Sequence, residues 1–178
     1  VWPFGSASLD LNGNSMTIGE WDAGAIFQHP DFAGRVTQVD GVVIDPETNP
    51  CQDIPELSMH ATHVAGTLVG TGELLDPDLG DEWIPRARGM AYSAQLNAWD
   101  WSCDTDEMVG AAIEGLLISN HSYGIAAGWL YFSVPPIIDG VVTKNWWWIG
   151  GAGIEDPNFG YYDGESQVWD TIAFDAPN

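Results

Sequence analysis

Positive charge is the scarcest property of this chain. Its 178 residues include four lysine and arginine residues against 26 aspartate and glutamate residues, which gives a formal net charge of −22 at pH 7. Long-range repulsion makes nucleic acids and anionic membrane surfaces poor partners for such a protein. We therefore expect neither nucleic acid nor a membrane among its partners, whereas cations are better candidates.

Long hydrophobic runs and cysteines are also scarce. No run approaches the roughly 18 apolar residues that a membrane span requires, and the first residues lack the basic and then apolar pattern of a signal peptide. The two cysteines, Cys51 and Cys103, are compatible with one disulfide or with two separate thiols. Because 45% of the residues are hydrophobic, the chain can still build one domain with a substantial core.

Strand-like apolar runs alternate with helical stretches, a pattern typical of an α/β fold whose parallel sheet is covered by helices on both faces. Strands are predicted at residues 17–21, 35–44, 95–99 and 118–124. Helices are predicted at residues 58–69, 108–117 and 164–173. Residues 125–163 are rich in Gly, Pro and Trp without a regular period, which predicts a long insertion.

Two segments carry the residue types of acid–base chemistry. Asp22 follows the first predicted strand and precedes a turn at Gly24, and His60 begins an apolar helix of small residues. A carboxylate at a strand end can orient an imidazole, which then acts as a general base. His60 and His63 could instead share a metal ion, but metalloproteases place two histidines four apart around a Glu, and no Glu is present here.

Four motifs in a fixed order resemble those of the subtilisin-like serine peptidases. The aspartate motif at Asp22 continues into residues 29–36, although Ala23 stands where Ser or Thr is commoner. Residues 60–67 resemble the histidine signature, with Ala61 in place of the usual Gly. The remaining two motifs, which resemble the stretch before the third strand and the strand end that lines the substrate cleft, lie at residues 89–94 and 120–124.

The resemblance implies a three-layer subtilisin-like α/β fold with a mostly parallel central sheet. It also implies a secreted serine-type endopeptidase that acts through an acyl-enzyme, with Asp22 and His60 as catalytic residues. A polypeptide substrate would bind as an extended strand. Its binding residues would be Ser122, Tyr123 and Gly124.

The nucleophilic serine of such a triad has no counterpart in the sequence. Ser166 lacks the second glycine of an esterase-type turn, and Ser58 lies too close to His60 in the chain. We therefore interpret residues 1–178 as a single domain, the N-terminal half of a subtilase catalytic domain, and predict that this chain alone is inactive. A non-catalytic peptide-binding relative is the alternative, and a carbohydrate-binding domain with exposed tryptophans is the least favoured interpretation.

No cofactor is expected to be required. The acidic runs at residues 76–82 and 104–107 could hold Ca²⁺ as a structural ion, which members of the family often bind. Neither run keeps the alternating ligand spacing of a known Ca²⁺ loop, so both are interpreted as solvated surface. His63 is expected to be a buried structural histidine, as its counterpart is in the family, and the oligomeric state stays open.

Overall fold

The structure is a computed structural model that describes residues 11–40, 57–73, 87–134, 137–138, 140–142 and 144–176. The strands are β1 (Thr17–Asp22), β2 (Ala25–Ile26), β3 (Val36–Gln38), β4 (Leu57–Ser58), β5 (Gln95–Asp100), β6 (Ser119–His121), β7 (Trp129–Tyr131), β8 (Ile137–Ile138), β9 (Val141–Val142) and β10 (Trp146–Trp148). The helices are α1 (Met59–Val69), α2 (Asp104–Ile113) and α3 (Gly164–Asp175), and a short 3-10 turn covers Pro30–Phe32. The chain divides into two compact units, of which the first extends to Tyr123 and resumes at Ile172, and the second comprises Gly124–Thr171.

A parallel four-stranded sheet in the order β3-β5-β1-β6 forms the centre of the first unit. Strand β1 pairs in register with β5, from Thr17 opposite Gln95 to Asp22 opposite Asp100. Every residue of β1 after Thr17 is buried, as expected for a strand that is covered on both faces. The carboxyl ends of β1 and β5 therefore reach the same edge of the sheet.

One face of this sheet packs against helix α1. Ile18 of β1 lies in a core cluster with Leu96 of β5 and with Ala61 and Ala65 of the helix. Because side chains alternate along a strand, Glu20 and Asp22 project from the same face as Ile18. The residues that face α1 thus become polar toward the carboxyl end of β1.

The opposite face packs against helix α2 through aromatic side chains. Trp21 is fully buried and stacks on Trp99 of β5, with 4.2 Å between ring centroids and an interplanar angle of 2°. Ala111 of α2 completes this second cluster. Helices on both faces of a parallel sheet confirm the predicted three-layer α/β architecture.

Most predicted elements of the first unit are present with altered bounds. The strands predicted at 17–21 and 95–99 and the helix predicted at 58–69 agree with the structure within one residue. The helix predicted at 108–117 begins four residues earlier because the acidic residues form its first turn, where the helix dipole favours carboxylates. The strands predicted at 35–44 and 118–124 shorten to β3 and β6, and residues 41–44 lie outside the described residues.

Arg35 connects the end of α1 to the start of β5. Its guanidinium group donates to the carbonyl of Val69 at 2.6 Å and to the carbonyl of Ala94 at 2.8 Å. The first of these carbonyls belongs to the last turn of the helix, where carbonyl groups have no partner within the helix. The arginine therefore satisfies backbone acceptors and fixes the helix on the sheet.

The second unit contains regular structure that the sequence did not predict. Strands β7 and β10 form an antiparallel ribbon in which Tyr131 lies opposite Trp146 and Trp129 lies opposite Trp148. The ring centroids of these pairs are 5.0 and 5.5 Å apart, so cross-strand aromatic packing holds the ribbon together. Strands β8 and β9 form a second hairpin. These strands were not predicted because each is at most three residues long, and the interpretation of residues 125–163 as an insertion stays a prediction.

Three acidic residues of the first unit meet near the carboxyl end of the sheet. A carboxyl oxygen of Asp40 accepts a hydrogen bond from the backbone N–H of Asp100, and the carboxyl groups of Asp40 and Glu107 bond to each other. Trp21 donates its indole N–H to Glu107 at 3.0 Å. Burial and then the charge of Asp40 raise the pKa of Glu107 to about 8. Two hydrogen-bonded carboxyl groups hold at least one proton between them, so this cluster is not fully ionised near neutral pH.

We expect Gly89→Ala to be one of the most disruptive single-methyl additions in the first unit. An added Cβ would lie 2.7 Å from backbone atoms of Leu68, Val69 and Gly70, which cannot move aside as a flexible side chain can. The free energy of unfolding in urea should fall by about 1–3 kcal/mol. Gly110→Ala is the control, because no atom lies within 4 Å of a Cβ at that helical position. Alanine should stabilise the helix there by about 0.5–1 kcal/mol, and equal stability of the two variants would contradict the close packing at Gly89.

We also expect Glu107→Gln to make stability less dependent on pH. Because the pKa of Glu107 is raised from its usual 4.5 to about 8 in the folded protein, the folded state binds more protons than the unfolded state between these values. Stability from this group is present below about pH 4.5 and is lost as the pH rises toward about 8. The variant should show a shallower decline of unfolding free energy over this range in denaturant titrations. Glu114→Gln removes the same charge from the exposed carboxyl end of α2 and should leave the slope unchanged; identical slopes for the two variants would refute the assignment.

Candidate active site

Asp22 ends β1 and is 1% exposed. Its Oδ1 atom accepts a hydrogen bond from the backbone N–H of Ala23 at 2.7 Å. The backbone N–H of Gly24 donates to the carbonyl of Asp22, and the φ of +97° at Gly24 is a left-handed conformation that favours glycine. The sharp turn fixes the carboxylate at the carboxyl edge of the sheet, where α/β proteins place their sites.

The chain after this turn leads directly to the start of α1. Strand β2 pairs in parallel with β4, the strand just before the helix, so that Ile26 lies opposite Ser58. The backbone N–H of Phe27 donates to Oγ1 of Thr62 in the first turns of α1 at 2.9 Å. The segment that carries Asp22 is therefore attached to the N-terminus of this helix by backbone pairing.

His60 lies in the first turn of α1. Ser58 is the N-cap, and its hydroxyl oxygen accepts the backbone N–H of Ala61 at 3.1 Å. Ala61 and Ala65 are buried against the sheet, and their small side chains allow the helix axis to approach the strands closely. The histidine is thereby brought to the edge where β1 ends.

The two predicted catalytic side chains are hydrogen-bonded to each other. Nδ1 of His60 lies 2.7 Å from Oδ1 of Asp22. The carboxylate is buried, whereas the imidazole side chain is 60% exposed. Because an ionised carboxylate can only accept, Nδ1 of His60 carries the proton of this bond, and Nε2 of the exposed ring is the basic nitrogen. This is the arrangement of a general base that is oriented by a carboxylate.

Glu20 lies behind this pair on the same strand and the same face as Asp22. It is 1% exposed, and neither carboxyl oxygen has a hydrogen-bond partner among the described residues. Burial and then the nearby charge of Asp22 raise the pKa of Glu20 to about 8. Glu20 is therefore a neutral carboxylic acid around pH 6.

The predicted substrate-binding segment begins directly after β6. The hydroxyl group of Tyr123 donates to Asp104 of α2 at 2.5 Å, so its oxygen accepts from Nδ1 of His121 at 2.9 Å. The ring of His121 stacks on Trp21 with 5.1 Å between centroids, and burial lowers the pKa of this histidine. These contacts hold the end of β6 against the face of the sheet that α2 covers.

The role of Ser122, Tyr123 and Gly124 in substrate binding stays a prediction. The hydroxyl oxygen of Ser122 accepts a hydrogen bond from the side chain of Asn120 at 2.9 Å. Gly124 is the first residue of the second unit, whereas the other two belong to the first.

The expectation of a buried His63 was wrong. The residue is exposed, because it lies on the side of α1 that faces away from Ala61 and Ala65. Among the residues that the structure describes, no group of three histidine, cysteine or acidic side chains is placed to hold a metal ion. The acidic run at residues 76–82 lies outside that part of the chain, as does Cys51, while Cys103 is disulfide-bonded.

Reasoning from the sequence missed two residues with a clear structural role. The sequence pattern identifies Arg35 only as part of a motif, although the bond of its guanidinium group to a backbone carbonyl of α1 positions the helix and hence His60. The same pattern includes Glu20 in an apolar strand, where an acidic residue is itself a signal of an unusual buried group.

A sequence profile of the subtilase family matches residues 13–171, which is most of the chain. A search of curated proteins finds no match. Within the described residues no helix is long and apolar enough to cross a membrane. The profile match, together with the parallel sheet and the Asp22–His60 pair at its carboxyl edge, shows that this chain belongs to the subtilase family of serine peptidases.

Proposed function

We propose that the protein is a serine endopeptidase in which Asp22 is the orienting carboxylate and His60 the general base of an Asp–His–Ser triad. The observation that supports this most directly is the 2.7 Å bond between Nδ1 of His60 and a buried carboxylate. A histidine held in this way exposes a basic Nε2 atom in one tautomer, which is what removal of a proton from a serine hydroxyl group requires. A purely structural histidine has no need of a buried, charged partner.

In the proposed reaction Nε2 of His60 takes the serine proton as the hydroxyl oxygen attacks the scissile carbonyl carbon. The Asp22 carboxylate keeps the ring oriented through Nδ1 and stabilises the imidazolium ion that forms. His60 then returns the proton to the leaving amine, and a second cycle with water releases the acyl group. The protein residues needed for the proton transfers are thus the two that the fold places at the end of β1 and the start of α1.

The nucleophile is proposed to come from sequence other than these 178 residues. The hydroxyl oxygen of Ser58 caps α1, and the hydroxyl group of Ser166 donates to Asp163 at 2.9 Å, so both have local structural roles. We propose that the chain represents the N-terminal half of the catalytic domain and is inactive alone. Residual catalysis by an incomplete site is orders of magnitude lower than that of a complete triad.

The proposed substrate is a polypeptide bound as an extended strand. In the described sheet, β6 has a neighbour on one side only, so the chain at its end can offer backbone N–H and C=O groups to a substrate strand. Ser122, Tyr123 and Gly124 are the residues proposed to do so. The net charge of −22 favours cationic polypeptides as substrates. The proposed location is extracellular, because members of the family are commonly secreted. No cofactor is needed for this chemistry, and Ca²⁺ has at most a structural role in the proposal.

The alternative is a non-catalytic subtilase-like module that binds peptides. The observation in its favour is the lack of a nucleophile turn in the sequence, together with the alanines at positions 23 and 61. The retained Asp22–His60 bond argues against it, because peptide binding along a sheet edge does not require this pair.

The proposal is tested in a complete protein that contains this chain together with the proposed serine. Asp22→Asn and His60→Gln should each lower kcat/KM for a peptide substrate by roughly 10⁴-fold, because either change removes the oriented base. His63→Gln is the matched control, since this exposed histidine lies on the same helix and should leave kcat/KM within about twofold. Full activity in the His60 variant would overturn the assignment, and peptide binding without hydrolysis in the complete protein would support the non-catalytic alternative.

The 178-residue chain alone should not react with a fluorophosphonate probe, because the probe requires an activated serine. Mass spectrometry of the treated chain is the measurement, with the complete protein as the positive control. A labelled serine within residues 1–178 would show that the nucleophile had been missed.

A further inference from the structure

The position of Glu20 is unusual for an acidic residue. It lies in the central strand of the sheet, with Ala98 of β5 and Asn120 of β6 as its neighbours in register. Ile18 and Asp22 flank it on the same face of the strand, and its side chain is 1% exposed. An isolated ionised carboxylate in such a place is strongly disfavoured, so the proton on Glu20 is retained by its surroundings.

Glu20 and Asp22 have complementary unsatisfied groups. Both oxygens of Glu20 and the Oδ2 atom of Asp22 lack a hydrogen-bond partner among the described residues. A protonated carboxyl group has one O–H to donate, and Oδ2 of an ionised carboxylate can only accept. Ala23 donates its backbone N–H to Oδ1 of Asp22, but it has no hydroxyl group that could donate a hydrogen bond to Oδ2. Buried polar atoms are almost always paired, and Glu20 is the donor on the same face of the strand.

The reach of the two side chains permits this bond. Residues two apart on a strand are about 6.6 Å apart along its axis, and the glutamate side chain has one methylene group more than that of Asp22. The two carboxyl groups are not hydrogen-bonded to each other in the structure, so the proposed bond requires a change in the conformation of the Glu20 side chain. The charge of Asp22 also acts on Glu20 in the structure as it stands.

We propose that Glu20 is a positioning residue of the triad: held as a neutral acid, it donates its O–H to Oδ2 of Asp22 and so fixes the plane of the carboxylate that orients His60. This inference rests on the proposed function for its catalytic consequence, although the hydrogen bond itself does not. Because Glu20 occupies Oδ2 of Asp22, the Oδ1 atom is left to accept the imidazole N–H. Because Glu20 is neutral, Asp22 contributes the single negative charge that faces His60. Loss of the donor would leave the carboxylate free to rotate and the ring less well oriented.

Few other charged groups of the described residues lie around Glu20. On the elements packed against β1, the titratable side chains are His60 and the exposed His63 of α1, Asp100 at the end of β5 and His121 at the end of β6. Glu107 of α2 faces the opposite side of the sheet, where it contacts Trp21. Glu107 is therefore a suitable control, because its pKa is raised to a similar value without a position next to Asp22.

Infrared spectroscopy of the 178-residue chain tests the hydrogen bond without any need for catalysis. The difference between the spectra of the wild type and of Glu20→Gln at pH 6 should show the C=O band of one protonated carboxyl group, which disappears with a midpoint near pH 8. Repeating the difference in an Asp22→Asn background should displace this band and lower its midpoint, whereas a Glu107→Gln background should leave both unchanged. No band at pH 6, or a band that is indifferent to Asp22→Asn, overturns the proposal. Circular dichroism establishes that each variant is folded.

Kinetics of the complete, serine-containing protein test the positioning role. Glu20→Met, which has no donor, should lower kcat by roughly tenfold with little change in KM. Glu20→Gln restores a neutral N–H donor of nearly the same shape and should recover most of this loss. We expect the kcat of the wild type to fall above about pH 8, where Glu20 loses its proton, and Glu20→Gln should lack this fall. Wild-type kcat in Glu20→Met, or equal losses in the two variants, overturns the role. These results are independent of Asp22→Asn and His60→Gln, whose effects decide the proposed function itself.

Discussion

The hydrogen bond between Asp22 and His60 depends on the way β1 is held at the centre of the sheet. The strand pairs with β5 on one side and β6 on the other, and both of its faces are covered. Its last residue is therefore fixed on every side, and the carboxylate can be buried without losing its orientation. The start of helix α1 is fixed by the cap at Ser58 and by β4, which pairs with β2 in the segment that follows Asp22. The Asp22–His60 hydrogen bond thus joins two rigid elements, β1 and α1. Such an arrangement keeps a hydrogen-bonded histidine in a single geometry.

The acids of this chain are used in two different ways. Most contribute to a large negative charge, but Glu20, Asp40 and Glu107 lie wholly or partly within the fold, where burial raises the pKa of each carboxyl group. A protein with so few lysines and arginines has little opportunity to neutralise internal carboxylates by ion pairs, so protonation and donors such as the indole N–H of Trp21 replace them. The Asp22 carboxylate is distinguished from these groups by its contact with the exposed imidazole ring of His60.

The sequence predicts the site better than it predicts the periphery. Strand β1 and helix α1 were predicted almost to the residue because an apolar run and a stretch of small helical residues are local signals. The Asp22–His60 pair was predicted from two motifs that resemble those of the subtilisin-like peptidases, and the structure places the two side chains 2.7 Å apart. The exposure of His63 could not be predicted, because which side of α1 faces solvent depends on the packing of Ala61 and Ala65. The ribbon of β7 and β10 was missed because three-residue strands have too short a pattern to be recognised, and only cross-strand contacts between aromatic rings define them.

The contacts of Arg35 and Arg88 affect how the stability of the protein responds to ionic strength. Arg35 bonds to two backbone carbonyls, and Arg88 bonds to the carbonyl of Thr71 and lies over the ring of Tyr92. In the part of the chain described, a contact of salt-bridge length between an acidic and a basic side chain joins Asp22 and His60, and it is an ion pair only when the imidazole is protonated. Salt weakens the attraction between exposed opposite charges. The described residues contain almost no such attraction. What salt mainly screens here is the mutual repulsion of the surface carboxylates, so a concentrated electrolyte favours the compact state of this acidic chain.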